Sequence, residues 1–335
     1  MIRAFAFGVI ALGGLNSILL GILAWRRIRV AGAARRRARL EERLRPVTLA
    51  FLDGDGELPP LTRREQEIVA DALGEYARKL RGPARGRIVA YFESQGTVDR
   101  ELAALATARP AWRRAAAAHR LGDIGSARVG DELVGALADD DRDVRTAAAR
   151  SLGKLRHVGG VEPLLAAAAA SAVPTAVASW ATLQMGADAR PALLRMLAAD
   201  EPAERAGAIS VLALVGDAAD GRAVSAGLGD ASASVRAAAA HALARLGAER
   251  DLEALLLALD DPSPDVRAAA ATALGRLRDS RALVGLVAHA IEDAFDVAQA
   301  AARAAVALDA AACARIEATS DGPHLAEAVD LAQLA

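Results

Sequence analysis

Aromatic residues are nearly missing from this chain of 335 residues, in which phenylalanine, tyrosine and tryptophan together make up 3%. Cysteine is rarer still: Cys313 stands alone. One thiol makes neither a disulfide framework nor a thiolate metal cage, so a stapled secreted domain is excluded. With few aromatic rings there is little for bases to stack on, and residues 110 to 335 hold 30 acidic against 22 basic residues, the opposite of a nucleic-acid track. The five histidines, His119, His157, His241, His289 and His324, lack metal-ligand spacing, and no glycine-rich phosphate loop, nucleophile elbow or Cys/His arrangement occurs. Asp53-Gly54-Asp55-Gly56 opens like a calcium loop, but the ligand pattern does not continue. The expectation is a non-enzyme with no cofactor and no metal.

What the chain has in quantity is alanine, set into a repeating unit. The stretch from Asp261 to Ile291 reads as one helical hairpin. Ser263 suits the N-cap, Pro264 the first turn and Asp265 the positive end of the helix dipole. Val266, Ala269, Ala270, Ala273, Leu274 and Leu277 then form an apolar face, and Leu283, Leu286, Val287 and Ala290 form another after Arg278-Asp279. Aligned on Arg267, the unit recurs at Arg114, Arg145, Thr175, Arg205, Arg236 and Ala298, at intervals of 30 or 31 residues. Seven positions past each marker stand Leu121, Leu152, Thr182, Leu212, Leu243, Leu274 and Ala305, the predicted core. Small alanines between them let helix axes approach toward the short end of the ~8–10 Å range.

Asp141-Arg142-Asp143-Val144-Arg145 and its counterparts ending at Arg236 and Arg267 resemble HEAT repeats. The resemblance covers about residues 110 to 308, and the short period is similar to the compact HEAT-like repeats first named after phycocyanobilin lyases. It implies an all-α, right-handed α-solenoid of six to seven hairpins and says little about function. The His-Glu pairs of metal-binding HEAT hydroxylases are absent, since glutamate follows none of the histidines. Tyr76 to Gly82 and Trp112-Arg113-Arg114 also look similar to bacterial membrane-anchored HEAT proteins encoded beside polysaccharide glycosyltransferases. A bilin lyase or isomerase is implied by the repeat-type name alone, and no repeat shows the wide apolar or basic pocket that a tetrapyrrole needs.

Charge is distributed unevenly. Residues 1 to 109 hold 19 basic against 12 acidic residues, +7, whereas residues 110 to 335 carry −8. Ala4 to Trp25 is free of charge, and 22 residues at ~1.5 Å span about 33 Å, enough to cross a bilayer's hydrocarbon core. Arg26, Arg27, Arg29, Arg35, Arg36, Arg37 and Arg39 follow it, which places the remainder in the cytoplasm, at the inner membrane, by the positive-inside rule. Gly13, Ser17 and Gly21, with Asn16 beside them, form a small-residue stripe suited to membrane-helix packing. The predicted organisation is a transmembrane helix at 4–25, a basic juxtamembrane segment and linker at 26–60 that Pro46 interrupts, and a helical cap at 61–109. Repeats at 110–308 and capping helices at 309–335 complete it.

Arg145, Arg236 and Arg267 with Asp141, Asp230 and Asp261 recur too regularly to be catalytic and are expected to tie adjacent repeats. The second helices, near 126–138, 158–170, 187–199, 217–228, 249–259 and 279–291, are expected to form a concave partner-binding face. Asp131, Arg195, Glu253 and His289 fall on their polar side. Trp112 and Trp180 are expected to pack within or between repeats. The function that follows is a membrane-anchored scaffold for protein–protein interaction, with a membrane-associated partner such as a glycosyltransferase. A self-associating membrane organiser, a homodimer included, is the alternative.

Overall fold

The computed structural model describes residues 35–246, 251–317 and 323–333, with 25, 27, 29 and 31, and its regular structure is entirely helical among them. The predicted span 4–25, with Gly13, Asn16, Ser17 and Gly21, lies outside the described residues. The chain forms two compact units that meet in sequence between Val98 and Asp99.

The first unit holds α1 (35–53), α2 (Arg63–Lys79) and α3 (Pro83–Ser94). Leu44 and Leu52 on α1 and Ile68, Val69 and Leu73 on α2 are buried. Arg37 pairs with Asp71 at 2.7 Å and Arg43 pairs with Glu65. Glu65 also accepts from the Thr62 backbone N–H at 3.0 Å and its hydroxyl at 2.7 Å, as the capping pattern predicts. Contrary to expectation, α1 runs straight through Pro46 to residue 53. A proline inside a helix costs about 3 kcal/mol. Two buried leucines return about 1.5–3 kcal/mol each, enough to carry the helix past it.

In the second unit α4 (Thr97–Thr107) leads into the hairpins, so from Asp99 onward the predicted cap at 61–109 belongs with the repeats. Its Glu101 is buried and receives Arg113 and Arg120, each at 3.0 Å. The hairpins are α5 (Ala111–Ile124) with α6 (Gly130–Gly135), α7 (Arg142–Leu155) with α8 (Val161–Ala169), and α9 (Thr175–Met185) with α10 (Arg190–Met196). They continue as α11 (Pro202–Val215) with α12 (Gly221–Ser225), α13 (Ala233–Leu246) with α14 (Leu252–Ala258), and α15 (Pro264–Leu277) with α16 (Leu283–Glu292). First helices pack on first helices along the array, most thinly between α9 and α11.

The core lies where the period put it: Leu121, Leu152, Thr182, Leu212, Leu243, Leu274 and Ala305 are all 0% exposed. Glycine sets the spacing at three joints, the first at Gly122, where a Cβ would stand 2.8 Å from the Cα of Ser151. A Cβ on Gly153 would stand 2.7 Å from the Cα of Ala181, and one on Gly275 2.9 Å from the Cα of Ala304. The first helices there approach backbone to backbone.

The array ends in α17 (Phe295–Glu317) and α18 (Pro323–Gln333). Helix α17 is the one described helix long and apolar enough to cross a membrane. Its chain breaks at Asp309 (φ −153°, ψ 89°), near the predicted end of the repeats, and its face from Val297 to Ala305 packs on α15 and α16 as a seventh first helix.

Candidate functional site

The recurring arginines build a ladder. Four of the five guanidiniums fork onto a carboxylate 25 or 26 residues later: Arg114 on Asp139 at 2.8 Å, Arg205 on Asp230 at 2.8 and 2.9 Å, Arg236 on Asp261 at 2.7 and 2.9 Å, and Arg267 on Asp293 at 2.6 and 2.7 Å. The remaining nitrogen, Nη1, donates to carbonyls of the preceding loop, such as Asp230 and Ala231 for Arg236. These bidentate charged bonds hold Asp139, Asp230, Asp261 and Asp293 below the usual carboxylate range. Every group has a partner within the fold, so the ladder is structural.

Two sequence assignments change. Asp141 is no rung: its carboxylate caps α7 by accepting from the N–H of Asp143 and Val144, while Asp139, two residues earlier, takes the arginine. Arg145 finds no acid in the following loop and donates instead to the carbonyl of Ala172 at 2.8 Å.

The four residues expected on the partner face do not converge on one place. The Asp131 side chain is 97% exposed, with His157 3.4 Å away. Arg195 pairs with Glu162 at 2.7 Å, across to the neighbouring second helix. Glu253 is exposed on α14. His289 is drawn inward, with Nδ1 3.0 Å from Asp293, which makes it an extension of the ladder's last rung.

What the polar reading missed is apolar. Val284 on α16 is 82% exposed and Leu257 on α14 is 77% exposed. Ile291, at 37%, completes a stripe with Val284 and exposed Ala288 at helical spacing i, i+4, i+7. Leu257 occupies the register of Ala288 and Val284 that of Glu253, so the four share one surface of two neighbouring second helices. The signal was in the repeat phase: the Leu257 register holds Gly135, Ala166 and Ala226 elsewhere, and the Val284 register holds Asp131 and Arg222.

Trp112 and Trp180 also depart from expectation. They are 71% and 41% exposed, because their registers on the first helices point away from the stack. No group of acidic, histidine or cysteine side chains with metal-binding geometry occurs among the described residues.

Helical hairpins stacked in one direction and tied by an arginine–aspartate ladder define an α-solenoid of the HEAT class. The family model for HEAT repeats matches residues 99–186 and 221–307, and the chain belongs to that family. Among solved structures, a Kap121p mutant is similar at 13% identity and a TM-score of 0.50, over 82% of this chain and 34% of that one. This chain thus spans about a third of that protein's length. Human deoxyhypusine hydroxylase in complex with glycerol is similar at 21% identity over 81% of this chain and 98% of that one, with a TM-score of 0.32. An engineered protein is similar at 20% identity over 87% and 89%, with a TM-score of 0.41. Identities this low concern the fold alone. No curated protein matches the chain significantly.

Proposed function

We propose that this protein is a scaffold that binds another protein through its second-helix layer, with Leu257, Val284 and Ile291 as the anchor. The observation that supports this reading is the placement of the two most exposed large apolar side chains on adjacent second helices in one patch. Apolar side chains left in water at the surface of a helical array are stabilised by covering them, and an amphipathic helix laid across α14 and α16 is the simplest cover. Glu253 and Arg281 border the patch and set the orientation of such a helix.

The scaffold works beside a membrane in this reading. The apolar run at 4–25 serves as the tether, the basic residues after it hold the repeats in the cytoplasm, and the client is a membrane-associated protein such as a polysaccharide glycosyltransferase. The experiment is affinity purification of the full chain from detergent-solubilised membranes, wild type against Leu257→Ser/Val284→Ser. Both positions are solvent-exposed, so the variant should keep its fold and lose the client. Retention of the client by the variant refutes the anchor. Recovery of this chain alone, with only self-crosslinks in native membranes, would favour the self-associating organiser instead.

A further inference from the structure

The first-helix layer carries a pattern that protein binding by the second-helix layer does not use. Five and nine positions beyond each marker, side chains emerge on the outer surface of the first helices. Those registers hold Arg150, Lys154, Arg245, Arg276 and Arg303, and a single carboxylate, Asp123. Asp123 is already engaged by Lys154 at 2.7 Å and His119 at 3.2 Å. Arg150, Arg276 and Arg303 are exposed and have no ion pair or hydrogen bond among the described residues. This stripe is basic although residues 110 to 335 as a whole carry −8.

The helix dipole favours basic residues in a last helical turn. It does not account for what stands between them. On α9 and α11, at the same two registers, Trp180 is 41% and Leu214 is 42% exposed. A groove of about 450 Å³ lies beside the Trp180 indole, lined by His119, Arg150, Lys154 and Val177. From α7 to α17 the stripe crosses five helix-to-helix steps, about 40–50 Å at the usual spacing. The order along that line is basic, apolar, basic.

We infer that the first-helix ridge docks on an anionic lipid surface, with the arginines on headgroup phosphates and Trp180 and Leu214 at the headgroup–acyl boundary. An acidic protein would satisfy the arginines, but it offers no acyl boundary for Trp180 and Leu214. A lipid surface takes both.

The test uses the full chain with Trp25→Phe and Trp112→Phe, which leaves Trp180 as the one indole, mixed with vesicles whose acyl chains are brominated. Quenching of Trp180 is expected in phosphatidylcholine–phosphatidylglycerol vesicles and not in phosphatidylcholine alone. High salt should reverse it, since the Debye length falls to about 3 Å at 1 M. Arg150→Glu/Arg276→Glu/Arg303→Glu, checked for folding by circular dichroism, should abolish it, because each basic residue near an anionic surface is worth about fivefold in partition. Equal quenching in neutral vesicles, or quenching that survives the triple variant, overturns the inference. A Trp180 emission shift with soluble polyglutamate, without quenching by vesicles, would also overturn it and assign the ridge to an acidic protein.

Discussion

Replacing Leu243 by alanine tests the stacking of the array at its most sensitive kind of position. Leu243 is 0% exposed on α13, which packs between α11 and α15. Losing about three methylene equivalents at ~0.8 kcal/mol each removes about 2.4 kcal/mol of transfer free energy. The cavity left behind adds to this, because the surrounding helices relax only partly into it. The expected loss is therefore in the upper part of the 2–5 kcal/mol range, about 3–5 kcal/mol. In a one-dimensional array such a defect uncouples the repeats on either side, so the urea transition should broaden as well as move. Leu257→Ala is the control: the same chemical change at a site 77% exposed should cost under about 0.5 kcal/mol. The assay is urea unfolding of the full chain in mild detergent, followed by far-ultraviolet circular dichroism. A loss under about 1 kcal/mol for Leu243→Ala, or equal losses for the two leucines, would refute the assignment of layers.

Gly153→Ala should lower the thermal midpoint, because the new methyl meets the Ala181 backbone and overpacking of about 1–3 kcal/mol outweighs the ~1 kcal/mol gain in helix propensity. A raised midpoint would mean that α7 and α9 stand further apart. The carboxylates of Asp139, Asp230, Asp261 and Asp293 are held below their unfolded value of about 3.9. Their contribution is complete above that value and is lost as pH falls from it through the lower folded value, so acid unfolding should begin near pH 4 and Asp261→Asn should make it shallower. Burial and then Arg276 push the imidazole of His241 below its ordinary value near 6.5. A base lowered in this way costs stability as pH drops below about 6.5, so the melting temperature of wild type should fall between about pH 7 and 5 more than that of His241→Gln. Identical slopes would remove His241 from the account.

The period was legible because a helix stack imposes the same burial on every copy: Leu121 and Leu274, separated by five repeats, are equally buried. Edge positions were less so. Ile124 is buried but Leu308, in the same register, is only half-buried, next to the break in α17 at Asp309. The ladder was legible as a recurrence of arginine with aspartate, but not as a pairing. Asp139 and Asp141 differ in role by a two-residue offset that only loop geometry decides: one faces the preceding arginine, the other its own helix terminus. The partner surface was sought among polar residues, where a solvated face gives no contrast. The contrast lay in Leu257 and Val284, apolar where their counterparts in other repeats are polar or small. Pro46 misled because the local rule is strong and the burial of Leu44 and Leu52 that overrides it is tertiary.

The rung at Arg145 decides how the array carries load. Its bond ends on a neutral carbonyl, and the next marker, Thr175, brings no guanidinium at all. Two successive joints, from α7 to α9 and from α9 to α11, thus lack the ladder rung that the other first helices have, and charge ties them instead in the second-helix layer, through Arg195–Glu162 and Arg190–Asp220. Pulled end to end, the solenoid would not extend evenly. It would behave as two stiff springs in series with a compliant coil, whose second joint, α9 to α11, lies where the two family-matched stretches, 99–186 and 221–307, leave their gap. Strain applied at either end by a bound partner would collect there, opening α9 against α11 before either flanking stack is disturbed.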